Sequence, residues 1–165
     1  MTQNLLAKIF SLSKDLVTTA TAQNMTLGTA ESCTGGLIGA AITATNGSSA
    51  AFRGGIIAYH NDVKINELSV DPKVLEENGA VSEAVAIQMA EGCQQHLNVD
   101  FAVSVTGIAG PGGGTREKPV GTVWIGLATP SGASAKLYHF PDMSRNKVRD
   151  HSCLAALQTF IDALY

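Results

Sequence analysis

The chain has 165 residues, 45% of them apolar but only 5% aromatic, and 17 are glycine. Eleven Lys and Arg against fourteen Asp and Glu give a net charge of −3 with no block of like charges, so the basic surface that a nucleic acid or an anionic membrane requires is not expected. The length suits one domain, residues 1–165, around one core, and Cys33, Cys93 and Cys153 are too few and too far apart for a disulfide framework or a Cys-x-x-Cys metal site.

The segment Met1 to Phe10 is too polar for a signal peptide, and no run of about eighteen apolar residues occurs, which reads as a soluble cytoplasmic protein. Leu5, Ile9, Leu12 and Leu16 recur at helical spacing and predict an amphipathic helix from about Thr2 to Ala22. A strand over Met25 to Ala30, a Gly35-Gly36 turn and a buried helix over Leu37 to Ala44 follow. Gly55 to Tyr59 reads as a strand, Asn61 as the N-cap of a helix through Leu68, and Asp71-Pro72 as the start of a short helix that Gly79 closes. Ser82-Glu83 opens the next helix, with Val85, Met89 and Cys93 inward. The nearly continuous apolar run Phe101 to Thr106 predicts a strand covered on both faces. Thr122 to Ala128 and Ala133 to Phe140 form a hairpin about Pro130-Ser131-Gly132, and a helix capped by Ser144 ends the chain. Helices alternating with strands before a closing hairpin predict a three-layer α/β/α sandwich with a mixed sheet.

Four segments have residues that chemistry can use. The first is Thr29-Ala30-Glu31-Ser32-Cys33-Thr34-Gly35-Gly36 between a strand end and a helix start, where free helix N–H groups meet negative charge and a hydroxyl is placed to attack; the bland alternative is a capping Ser or Thr with glycines that fit the turn. In Tyr59-His60-Asn61-Asp62-Val63-Lys64, a cap at Asn61 puts Lys64 in the first helical turn, where the dipole disfavours a cation and pushes the amine toward the neutral form a general base needs. A solvated Lys64 is the alternative there, and His60, Asp62 and His96 lack metal-ligand spacing. The third, Thr106-Gly107 through Gly110, Gly112, Gly113 and Gly114, suits either a surface loop or a backbone nest for phosphate, and fits neither the Walker A nor the Gly-x-Gly-x-x-Gly pattern. In the fourth, Arg145 and Arg149 lie one turn apart at the start of the last helix, where an anion would resolve the conflict with the dipole and a solvated basic face is the alternative.

Taken in order, Ala30 to Gly36, Val105 to Pro111 and Lys118-Pro119-Val120-Gly121-Thr122-Val123 resemble the CinA C-terminal domain family over nearly the whole chain, from about Leu5 to Leu164. Stand-alone members include a nicotinamide-nucleotide amidohydrolase. The family often shows Ser, Glu and Ala where this chain has His60, Asp62 and Val63, and Gly-Asp where it has Met143-Ser144. The resemblance implies deamidation of nicotinamide mononucleotide to nicotinate mononucleotide and ammonia, with Ser32 as nucleophile, Lys64 as its base and Tyr59 as an orienting neighbour. It further implies oxyanion binding by the Thr34, Gly35, Gly36 turn, and nucleotide binding by Thr106, Gly107, Gly110, Gly112, Gly113 and Arg145. No metal or organic cofactor is implied, and the partner is a small-molecule nucleotide, with a homo-oligomer possible through an edge strand. A non-catalytic nucleotide-binding module of the same fold, or a Cys33 nucleophile activated by the helix end, are the competing readings.

Overall fold

A computed structural model describes residues 3–165. Helix α1 (Gln3–Ala22) buries Leu5, Ile9 and Leu16 and half-buries Leu12, as the stripe predicts; Thr2, its expected first residue, lies outside the described residues, as does Met1. Then come β1 (Leu27–Glu31), α2 (Leu37–Thr43), a 3-10 turn (Ser48–Ala50) and β2 (Phe52–Ile57). They are followed by α3 (Asn61–Leu68), α4 (Pro72–Asn78), α5 (Glu83–Leu97), β3 (Phe101–Gly107), the hairpin β4 (Thr122–Thr129) and β5 (Gly132–His139), and α6 (Arg145–Leu164).

The sheet runs β2-β1-β3-β4-β5, parallel across β2, β1 and β3 and antiparallel from β3 to β5. All of β1 is buried, and so is β3 up to Thr106, as the apolar run predicts for a doubly covered strand. On one face Leu16, Ile38, Ile42, Cys153, Leu157 and Phe160 of α1, α2 and α6 pack together with Val103 and Ile125. On the other, Leu68, Leu75, Val85 and Met89 of α3, α4 and α5 pack with Ala30 and Ala102. These are the three layers of a mixed α/β/α sandwich.

Several boundaries shift by one to three residues, β1 to Leu27–Glu31 and β5 to Gly132–His139 among them, and two of the differences have a clear physical cause. Strand β2 starts at Phe52 rather than Gly55 because Gly54 and Gly55 belong to the sheet; a Cβ on Gly55 would overlap the Thr29 hydroxyl, so the glycine allows β2 to lie close against β1. The N-cap of α3 is His60 rather than Asn61: its Nδ1 accepts the Asp62 N–H at 3.3 Å, so an imidazole serves as the cap. Ser144 does precede α6, but its hydroxyl makes no cap bond. The α4 signals hold as read, with Asp71 capping, Pro72 first and Gly79 closing at φ 74°.

Strand β1 lies between β2 and β3, so the chain leaves it to one side through α2 and returns to its other side through α3, α4 and α5. Where such connections diverge, a crevice opens beyond the carboxyl ends of the strands.

Candidate active site

Ser32 directly follows β1 in that crevice and is only 9% exposed. Its N–H donates to Val105 O at 2.9 Å, tying the residue to the end of β3. Lys64 enters from the first turn of α3. Helical side chains lean back toward the N-terminus of their helix, and here the lean carries Nζ to Ala58 O at 2.8 Å, Tyr59 O at 3.3 Å and Ser32 Oγ at 3.4 Å. Lys64 is 1% exposed and has no carboxylate partner among the described residues. Burial pushes its amine below the ordinary value of 10.5, with the Cys33 sulfur acting the other way, so desolvation depresses this pKa and the solvated lysine considered from the sequence is excluded. Nζ donates to the two carbonyls and to the Ser32 hydroxyl; in its neutral form the amine would have a lone pair to accept the Ser32 proton instead.

Glu31, which has no role in the sequence pattern beyond its place in the segment, organises the turn. Its buried carboxylate accepts the N–H groups of Gly36 at 2.9 Å, Ile38 at 3.1 Å and Gly39 at 2.8 Å, and the Thr29 hydroxyl at 3.4 Å. The start of α2 is therefore occupied by the protein's own anion, and the Gly36, Ile38 and Gly39 amides are not free for a ligand. The Gly35 N–H goes to Ser32 O at 3.1 Å, which leaves the Thr34 amide without an acceptor among the described residues, while the Cys33 N–H faces its own sulfur. Gly35 and Gly36 adopt φ 61° and 93°, which only glycine takes without strain, and the buried Thr34 hydroxyl has no partner among the described residues. Glutamate immediately before the serine and five residues before the second glycine was the available signal for this cap.

Cys33 also borders the site, but burial pushes its thiol up to about 11, although its backbone N–H, Arg145 and Arg149 act the other way. The activation expected from the helix end does not occur, because Glu31 takes that end and the sulfur is out of water.

A cavity of about 200 Å³ opens at Ser32, lined by Ser32, Cys33, Tyr59, Ala80, Val81, Thr106, Gly107, Ala109 and Arg145; Lys64 reaches Ser32 from outside this lining. Ala80, Val81 and Ala109 gave no sequence signal. The Thr106 hydroxyl donates to Ala80 O at 2.7 Å and holds that wall in place. Tyr59 is 61% exposed at the mouth, and Arg145 donates to its hydroxyl at 2.9 Å and to Gly110 O at 2.8 Å. Gly110 thus meets the site through its carbonyl, whereas Gly112 and Gly113 are exposed on the loop and do not line the cavity. Arg149 donates Nε–H to Cys33 O at 3.2 Å and Nη2–H to Thr34 O at 2.8 Å. A larger cleft of about 490 Å³, between α1, β5 and α6, includes Tyr138, Phe140 and His151 but no base beside a nucleophile. Among the described residues no three His, Cys, Asp or Glu side chains gather as they do around a metal, and no helix is long and apolar enough to cross a membrane.

Together the fold and the crevice define a mixed α/β domain with its cavity at the switch point of the parallel strands. The chain belongs to the CinA C-terminal domain family, whose model matches residues 9–164. It is 54% identical over 134 residues to a CinA-like protein of Synechocystis sp. and 49% identical over 133 residues to a CinA-like protein of Chlorobaculum tepidum, matches that cover 80% and 77% of this chain. The chain spans about a third of the length of these curated relatives, 32% and 31%. Among solved structures it is similar to the competence/damage inducible protein CihA from Agrobacterium tumefaciens, with a TM-score of 0.92, 41% identity and 95% of each chain covered. It is also similar to a competence-damaged protein (CinA) superfamily protein from Escherichia coli, with a TM-score of 0.90, 31% identity, and 94% of this chain and 90% of that one covered.

Proposed function

We propose that this chain is an amidohydrolase that converts nicotinamide mononucleotide to nicotinate mononucleotide and ammonia, a step in pyridine-nucleotide recycling. The observation that carries the reading is the buried Lys64 amine 3.4 Å from the Ser32 hydroxyl at the floor of a cavity. Burying a lysine without a carboxylate costs stability, and a module that only bound nucleotides would gain nothing from it. As a general base, the depressed amine recovers that cost in rate.

In the proposed sequence, Lys64 takes the Ser32 proton while Oγ adds to the carboxamide carbon. The developing oxyanion meets the Thr34 amide, which nothing engages among the described residues, and the Cys33 amide, which faces only its own thiol. The residue after a nucleophile commonly supplies such a donor. Collapse of the intermediate breaks the C–N bond, the Lys64 proton goes to the leaving nitrogen, and ammonia departs from a Ser32 ester. Lys64 then deprotonates a water that attacks the ester, the proton returns to Ser32 Oγ as the C–Oγ bond breaks, and the released carboxylic acid gives its own proton to solvent.

The cavity, at about 200 Å³, is below the roughly 300 to 1,000 Å³ of sites that enclose drug-sized ligands. It suits the pyridine carboxamide end alone. The ribose and phosphate would lie outside, against Tyr59, Gly107 and the exposed Arg145 guanidinium, whose planar fork matches a phosphate. The test is ammonia release from nicotinamide mononucleotide by the wild type, Ser32→Ala and Lys64→Met. Release by the wild type alone is expected, and equal background release from all three overturns the reading.

A further inference from the structure

The turn that follows Ser32 is gripped at both ends of its peptide dipoles. Glu31 gathers N–H groups from Gly36 onward, and Arg149, from the second turn of α6, takes the carbonyls of Cys33 and Thr34 at 3.2 and 2.8 Å. Arg149 is half-buried and has no carboxylate within ion-pair distance among the described residues, so its charge goes to two neutral carbonyls of this one turn. Arg145, one turn earlier on the same helix, reaches instead to Tyr59 and Gly110 at the mouth.

We infer that Arg149 is a positioning residue for the Ser32 reaction: its guanidinium, bonded to the Cys33 and Thr34 carbonyls, sharpens the Thr34 amide as an oxyanion donor and holds the turn against the nucleophile. The inference rests on the hydrolase reading of the same site. The Cys33 carbonyl and the Thr34 N–H are the two ends of one peptide unit, and a cation on the oxygen draws density from the nitrogen through amide resonance, making the N–H a stronger donor. Bonds from a charged donor are roughly twice as strong as neutral ones. The Thr34 N–H has no acceptor among the described residues, so that gain is available to an incoming oxygen anion. The second carbonyl acts on the nucleophile itself. Its peptide unit ends in the Gly35 N–H, which donates to Ser32 O at 3.1 Å, so Arg149 tightens the hydrogen bond that closes the turn onto Ser32.

The experiment compares the full chain with Arg149→Met, which keeps much of the length without the charge, and Arg149→Lys, which keeps the charge without the fork. With nicotinamide mononucleotide, kcat should fall about tenfold or more in Arg149→Met, less than the 10²-fold or greater cost of deleting an oxyanion donor, because the donor is weakened and not removed. KM should stay within about threefold, since the substrate itself does not touch Arg149. Arg149→Lys should fall between and covers the case in which the methionine variant does not fold. In parallel, the Thr34 amide proton resonance should move upfield in Arg149→Met relative to the wild type. A folded variant with unchanged kcat, a loss carried by KM alone, or an unmoved Thr34 amide each overturns the inference. An inactive wild type overturns the substrate assignment, and the Thr34 resonance then decides the role of Arg149 by itself, a shift supporting it and constancy refuting it.

Discussion

Replacing Lys64 by methionine separates its burial from its chemistry. Methionine is close to lysine in length, so the space that is 1% exposed stays filled, while the amine loses its contacts with Ser32 Oγ, Ala58 O and Tyr59 O. Without a base beside Ser32, ammonia release should fall by about 10² to 10⁴, the range a positioned general base contributes. The stability effect has a pH signature. Burial holds the folded-state pKa below 10.5, and the unfolded chain keeps the ordinary value, so between those two values the unfolded state binds the extra proton and wild-type stability climbs with pH. The limiting slope for one proton is about 1.4 kcal/mol per pH unit. Below the folded-state value both states are protonated and the full penalty remains; above 10.5 it is gone. Lys64→Met lacks this contribution, and the other titrations cancel in the comparison. Urea unfolding from about pH 6 to about pH 10, followed through the single Trp124, should show wild-type stability gaining on the variant as pH rises. Parallel curves would refute the depressed amine. In the same window wild-type kcat/KM should rise with unit slope to a plateau, and a flat profile would remove Lys64 as the base.

Three further outcomes follow from the same geometry. Cys33→Ala should keep ammonia release within about threefold, because a thiol pushed up to about 11 is protonated at neutral pH; a loss of about 100-fold would return the cysteine to the mechanism. Glu31→Gln places an NH2 group among the amides of Gly36, Ile38 and Gly39 and removes charge-assisted bonds, so thermal unfolding should show a loss of about 2 to 3 kcal/mol, or roughly 5 to 10 °C in Tm. An unchanged Tm would mean the cap contributes nothing. Gly92→Ala would drive a Cβ into the Leu68 carbonyl where α5 crosses the end of α3, and a destabilisation of about 3 kcal/mol is expected by denaturant titration; a neutral result would show that the two helices can part without cost.

The sequence by itself determined whatever depends on near neighbours. The stripe of α1, the Asp71, Pro72 and Gly79 signals of α4, the unbroken apolar run of β3 and the glycine turn after Ser32 are all local patterns whose periodicity or capping chemistry is complete within a few residues. The three-layer order followed from them, because helices alternating with parallel strands have few ways to cover both faces of a sheet. Glycine shows where local reading stops. Gly35 and Gly36 mark a turn by their own conformations, but Gly92 and Gly126 are needed because backbone from α3 and α5 lies against them, and no neighbour in sequence reveals that.

The site divides along the same line. Ser32 and Lys64 were legible as a hydroxyl at a strand-to-helix turn and a cation in an unfavourable helical position, but their separation of 3.4 Å is decided by β1 and α3 lying at the same crevice. Burial lowers the Lys64 amine and raises the Cys33 thiol, and it comes from elements far apart in the chain. The roles of Glu31 and Arg149 are likewise tertiary, since each becomes specific only when its charge meets backbone groups that the fold leaves unpaired. Propensity and capping are short-range energies and can be read along the chain. Desolvation and hydrogen-bond completion depend on everything that surrounds an atom, and only the packed structure supplies that.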